Sequence, residues 1–261
     1  MMTILEQIVA NKRLEVAARK QVIPMEHIRK MSEGQKPGRS LKQALSCSST
    51  GIISEFKRKS PSKGFIHMDA KVVPVVQAYQ DAGCTGVSIL TDYEYFGGTI
   101  GDFKEGRAVL NCPVLRKDFM IDPYQVYESK ILGADVILLI AASLTLDEAY
   151  DLGELAHELG MEILLEVHSE EELDYISRYT DIVGVNNRNL KVFKTDVQTS
   201  FDLASKIPSS IIRISESGLS DLSTVKALRE VGYQGFLMGE AFMKNNQPGE
   251  ALKDFINGMN L

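Results

Sequence analysis

With 261 residues, 44% of them hydrophobic and 25% charged, the chain has the composition of a folded globular protein and not of a disordered one. Its net charge of -6 provides no overall basic face for nucleic acid, so an anionic ligand must be met by cations gathered locally. The three cysteines form no CxxC pair and no metal-like cluster with the four histidines, and no run of about 20 apolar residues is available to span a bilayer.

The N-terminal stretch MMTILEQIVANKRLEVAARK lacks the unbroken apolar core of a signal peptide. Ile4, Leu5, Ile8 and Val9 recur at helical spacing, interrupted by Lys12, Arg13 and Glu15, and predict a helix. A second helix is expected over roughly 25–31. Short β-rich runs then alternate with helical stretches, each run ending in polar residues or glycine. Strands are predicted over 51–57, 86–92, 113–119, 135–142, 162–167, 182–188, 211–218 and 235–241. In the helical segment DEAYDLGELAHELG, Ala149, Leu152, Leu155, Ala156 and Leu159 make one apolar stripe of the kind that faces a core.

About eight alternating β and α units imply parallel strands joined by right-handed crossovers, hence an α/β fold of the (β/α)8 TIM-barrel type. The expected organisation is one domain over 1–261, with residues 1–45 as a helical extension covering the barrel mouth. The rival, a doubly wound open sheet, lacks support: no GxGxxG or GxxxxGK[ST] follows the first strand, and the charged residues end most strands instead of one crevice.

In a parallel barrel the C-terminal strand ends converge on one mouth, so Glu55, Lys57, Lys117, Glu166, Asn186 and Glu216 should face one another. Each also has an ordinary explanation. Glu55 and Lys57, two apart in a strand, share a side that is either the mouth or the solvent. Lys117 is equally readable as a snorkelling surface lysine. Glu166 follows Ile163, Leu164 and Leu165 without a break, so its carboxylate should be buried and in need of a cation, which Lys117 or Lys57 would supply. Asn186, Asn187 and Arg188 suit a turn, or amide and guanidinium donors at the mouth. Ser217, Gly218, Gly239 and Glu240 fall after the last two strands, where barrels commonly hold phosphate on backbone N–H groups; plain turn chemistry is the other reading.

The segments ILEQIVANKRLEVAARK, IISEFKRKSPSKG, SILTDYEYFGGT, PVLRKDFMIDPYQVYESKILGADVILLIAA, LLEVHSEEEL, VGVNNRNLKVF, RISESGL and FLMGEAFM together resemble the indole-3-glycerol-phosphate synthase family of tryptophan biosynthesis. EFKRKSPSKG and LRKDF are the specific parts, since other phosphate-binding barrels share only the last two loops. The resemblance implies a carboxy-lyase that cyclises 1-(2-carboxyphenylamino)-1-deoxyribulose 5-phosphate to indole-3-glycerol phosphate, releasing CO2 and water, with no metal and no organic cofactor. It implies Lys117 as general acid, Glu166 as general base, Glu55 and Asn186 as positioning groups, Lys57 on the substrate carboxylate with a share in the acid role, and Ser217 and Glu216 beside the substrate. Ser60, Gly218 and Gly239 match phosphate positions, and Phe96, Phe119, Leu138 and Leu190 match the apolar pocket for the anthranilate ring. Arg188, Leu237 and Glu240 complete the expected substrate contacts.

Some positions depart from the family pattern. HMDAKVVPVVQAY lacks a frequent Phe-Asp-Pro, TIGDFKEGRAVL differs from the usual acidic-leucine run, Glu240 stands where some members carry serine, and Asn189 replaces a frequent aspartate. Another phosphosugar isomerase or epimerase on the same barrel, or a non-catalytic phosphate-ligand-binding barrel, are the alternative functions. The expected setting is a cytoplasmic monomer, with a homodimer open, acting on a small phosphosugar without nucleic acid or membrane. Clustering is expected to lower the lysine pKa values and burial to raise that of Glu166, bringing both toward neutrality. Arg58, by strand alternation, is expected at the surface.

Overall fold

Residues 2–188 and 194–259 are described in a computed structural model. Three helices precede the first strand: α1 (Ile4–Val22), α2 (Met25–Ser32) and α3 (Leu41–Cys47). Thr3 caps α1 in a capping box with Glu6, satisfying two backbone donors reciprocally. Then follow β1 (Ile52–Phe56), the two-residue strands β2 (Lys59–Ser60) and β3 (Gly64–Phe65), α4 (Val72–Asp81), β4 (Gly86–Leu90), α5 (Tyr93–Phe96), α6 (Ile100–Val109), β5 (Val114–Lys117) and α7 (Pro123–Leu132). The second half comprises β6 (Val136–Ile140), α8 (Leu146–Glu158), β7 (Glu162–Val167), β8 (Ile182–Asn186), α9 (Gln198–Ala204), β9 (Ile212–Glu216), α10 (Leu222–Glu230), β10 (Gly235–Met238), α11 (Glu240–Met243) and α12 (Pro248–Met259).

Strands β1 and β4 to β10 close a parallel barrel, each pairing with the next in chain order and β10 returning to β1. β2 and β3 form a separate antiparallel hairpin after β1. One unit departs from strict alternation: β7 and β8 are joined through a single 3-10 segment, Glu171–Tyr175, instead of an α-helix. The stripe read in α8 faces inward, with Ala149, Leu152 and Ala156 buried and Leu155 and Leu159 partly buried.

Strand alternation sorts the core into two layers and thereby aims the functional side chains. Ile52, Phe56, Ile137, Leu139, Ile163, Leu165 and Val167 pack outward under the helices. Ile53, Leu115, Val136, Leu138, Ile140, Leu164, Ile182, Ile214 and Leu237 fill the barrel interior. Glu55 therefore shares the inward parity of Ile53, Lys117 that of Leu115, Glu166 that of Leu164, Asn186 that of Ile182 and Glu216 that of Ile214. At the last turn of each strand the apolar layers give way to these polar groups.

The N-terminal segment divides between the two ends of the barrel. Ile4, Leu5 and Ile8 of α1 reach the cleft at the C-terminal end of the strands. Leu41 and Leu45 of α3 pack against Gly86 and Gly235, the first residues of β4 and β10, and close the opposite end. The expectation that all of residues 1–45 cover the mouth is corrected accordingly: α1 does, whereas the apolar face of α3 plugs the interior from below.

Candidate active site

The cleft at the C-terminal strand ends encloses about 1030 Å³, counting the solvent at its opening. Its charged floor comes from alternate strands. Lys117 Nζ donates to Glu166 Oε2 at 2.9 Å and to Glu216 Oε2 at 2.8 Å. Asn186 Nδ2 donates to Glu166 Oε1 at 3.0 Å, and Lys57 Nζ to Glu55 Oε1 at 2.5 Å. Two glycines make the crowding possible: a Cβ on Gly184 would stand 2.2 Å from Glu216 Oε1, and one on Gly239 2.6 Å from Glu55 Oε1.

Buried carboxylates and a buried ammonium fix one another's protonation. Burial alone would depress the Lys117 ammonium, but Glu166, Glu216 and Glu55 hold it well above its ordinary value. Burial would raise Glu166, yet Lys117 and His168 hold it well below the usual carboxylate range. Glu216 is the group left poised: burial pushes it up to about 7, Lys117 opposes this, and Glu166 and Glu55 add to it. Its Oε1 is buried and accepts no hydrogen bond among the described residues. The expectation of lowered lysine and raised Glu166 is thus corrected. Each lysine has carboxylates for neighbours, not other lysines, and it is Glu216 that moves toward neutrality.

The remaining expected positions mostly converge. Phe96, Phe119, Leu138 and Leu237 line the cleft, the two phenylalanine rings lying 6.0 Å apart at 37°. Phe119, Leu138 and Leu237 are also barrel core, so the two readings of Phe119 and Leu138 coincide. Ser217, Gly218, Gly239, Glu240 and Arg188 also line the cleft. Ser217 holds a left-handed φ of 65°, the only such non-glycine among the described residues, and Gly218 follows at 76°. Asn187 Nδ2 braces this turn at 3.0 Å from the Ser217 carbonyl, so Asn187 supports the mouth without lining it. Glu240 is half exposed and lies 3.8 Å from both Lys63 and Arg188, which offset its charge.

Two expectations fail. Ser60 does not line the cleft: it pairs with Gly64 in the β2–β3 hairpin, its side chain is buried, and its Oγ has no hydrogen-bond partner among the described residues. Arg58 is not a surface charge, because its guanidinium grips both oxygens of Asp102 at 2.7 and 2.8 Å and bonds the carbonyls of Ala70 and Gly97. It fastens the start of the hairpin to α6. Leu190 and Asn189 lie outside the described residues.

The sequence reading missed two buried charged groups behind the site. His168 stands behind Glu166, its Nε2 3.4 Å from Glu166 Oε1 and its Nδ1 3.1 Å from Glu172 Oε2. Its position two residues after Glu166 was the available signal. Lys12, the polar interruption of α1, is fully buried against Asp92 and Asp118, and nothing in a helical stripe distinguishes such a lysine from a solvated one.

A profile of the family described as Indole-3-glycerol phosphate synthase matches residues 5–255. A protein of that name from Bacteroides thetaiotaomicron is 49% identical over 99% of this chain and 100% of its own length. The chain belongs to this family. Its members are decarboxylating lyases of tryptophan biosynthesis. Indole-3-glycerol phosphate synthases from Delftia acidovorans (42% identity, 97% of this chain and 98% of that one) and Chromobacterium violaceum (41%, 97% of each) agree. Among solved structures, a mutant tryptophan synthase alpha-subunit from Pyrococcus furiosus aligns with a TM-score of 0.61 at 16% identity over 81% of this chain and 98% of that one. The N-acetylmannosamine-6-phosphate 2-epimerase of Clostridium perfringens aligns with 0.61 at 14% over 86% and 99%. At such identities the likeness is one of fold. Among the described residues, no helix is long and apolar enough to cross a membrane.

Proposed function

We propose that this chain converts 1-(2-carboxyphenylamino)-1-deoxyribulose 5-phosphate to indole-3-glycerol phosphate, with loss of CO2 and water. The observation that carries this reading is Lys117, a buried ammonium at the cleft floor hydrogen-bonded to two carboxylates, which sets an acid and a base within reach of one bound molecule.

Lys117 polarises the ketone oxygen, so that the aromatic carbon bearing the carboxylate attacks the carbonyl carbon and a C–C bond forms. The C–CO2 bond then breaks, and its electron pair restores the aromatic ring. The hydroxyl derived from the ketone leaves as water after taking a proton from a lysine, while Glu166 removes the proton whose loss completes the indole. Lys57 binds the substrate carboxylate and shares the acid role, and Glu55 and Asn186 orient the reacting groups. The resting protonation fits these parts: Lys117 keeps its proton and Glu166 stays ionised. Protonation of Glu216 removes one of the charges that hold the Lys117 proton in place.

Phe96, Phe119, Leu138 and Leu237 form the walls for the anthranilate ring, with Leu190 as a further member. Backbone N–H groups at Gly218 and Gly239, beside Ser217 and Arg188, take the phosphate, while Glu240 is kept from repelling it by its two cations. The whole chain works as one barrel domain in the cytoplasm, as a monomer, with α1 roofing the cleft. The test is to supply purified protein with the carboxyphenylamino substrate and follow indole fluorescence. Stoichiometric indole-3-glycerol phosphate and CO2 are expected, and a substrate recovered unchanged would overturn the proposal.

A further inference from the structure

We propose that His168, clamped by Glu172, is a positioning residue that fixes the carboxylate of Glu166 for proton removal. The proposal rests on the reading of Glu166 as the base. His168 is not a cleft-lining residue, so it acts through Glu166 and not on the substrate.

The clamp is built from the chain just beyond β7. His168 follows Glu166 by two residues, which turns both side chains to one side of the strand end. The 3-10 segment brings Glu172 back, so that its Oε2 accepts from the His168 backbone N–H at 2.7 Å and meets Nδ1 at 3.1 Å. A side chain only 12% exposed is thus fixed at backbone and ring together.

With Nδ1 facing one carboxylate and Nε2 another, both ring nitrogens carry protons. Among the described residues Nε2 makes no aligned hydrogen bond, and the 3.4 Å approach to Glu166 Oε1 is an ion-pair contact. The charged groups facing the ring are Glu166 from β7 and Glu172 from the 3-10 segment. Burial would depress the imidazole, but these two carry it to about 9. Glu166 consequently has a cation on each oxygen, Lys117 at Oε2 and His168 at Oε1. When the proton of Lys117 moves to substrate, His168 is the cation that keeps Glu166 ionised and oriented.

The test compares kcat and KM across pH for the wild type, His168→Gln and Glu172→Gln, with Glu166→Gln as reference. The wild-type kcat is expected to decline as pH rises through about 9, where the imidazolium is lost. His168→Gln should lower kcat by about tenfold with KM retained, and the decline near that pH should vanish. Glu172→Gln should shift the decline to lower pH, since removing a carboxylate favours the neutral ring. A wild-type kcat in His168→Gln, or a decline unmoved in Glu172→Gln, would overturn the clamp provided Glu166→Gln is inactive. Full activity of Glu166→Gln would overturn the reading of the base itself.

Discussion

Three consecutive residues, Arg116, Lys117 and Asp118, feed two buried charge clusters that behave in opposite ways. Outside the barrel wall, Arg116 meets Asp118 at 3.2 Å and Glu128 at 2.7 Å. Lys12 meets Asp92 at 2.9 Å and Asp118 at 3.0 Å, with Glu15 at 2.8 Å. Asp118 also accepts from Thr91, and Lys12 and Arg116 overcome the effect of burial to hold it down at about 2. Inside, Lys117 and Lys57 face Glu55, Glu166 and Glu216, one carboxylate more than there are ammonium groups. In the outer cluster the carboxylates also outnumber the cations, and Asp118 stays ionised at neutral pH. The inner one differs in Glu216, whose carboxyl is pushed by burial up to about 7. Strand alternation alone separates a latch for α1 from a site able to exchange protons.

The largest stability effect expected from breaking this contrast is at the latch. Lys12→Met leaves Asp92 and Asp118 buried without their ammonium, and should cost about 3–5 kcal/mol in denaturant unfolding. The turnover of whatever remains folded should stay close to normal. A loss below 1 kcal/mol would count against a structural role for the outer cluster.

A smaller effect is expected from Glu216→Gln, and it concerns pH. Because the folded carboxyl takes its proton near 7 instead of its ordinary 4.5, the native state binds more protons than the unfolded one between these values. Glu216 therefore makes stability fall as pH rises across that window, and the glutamine variant should show a flatter dependence there. The kcat/KM profile should lose an inflection near 7 at the same time. Profiles that superimpose, in both unfolding and kinetics, would place the titration elsewhere.

The alternation of short β-rich runs with helical stretches made the barrel legible, because parallel strands buried on both faces read as continuous apolar runs whose polar ends mark the mouth. Glu55, Lys117, Glu166, Asn186 and Glu216 were found by that rule together with family motifs such as EFKRKSPSKG and LRKDF. What it does not carry is the direction taken after a strand stops. Ser60 turns under a hairpin closed locally with Gly64, whereas Arg58 closes on Asp102 of another helix and α3 packs on the far end of the barrel through contacts distant in sequence. Protonation was misread for the same reason. Lys117 is paired with Glu166 of β7 and Glu216 of β9, so carboxylates and not other lysines set its proton affinity.

The most direct measurement takes one preparation of Lys117→Met and determines both its turnover of the carboxyphenylamino substrate and its unfolding midpoint. The account predicts a loss of kcat of about 10²–10⁴-fold or more, with the fold intact. Wild-type turnover in that variant would contradict it.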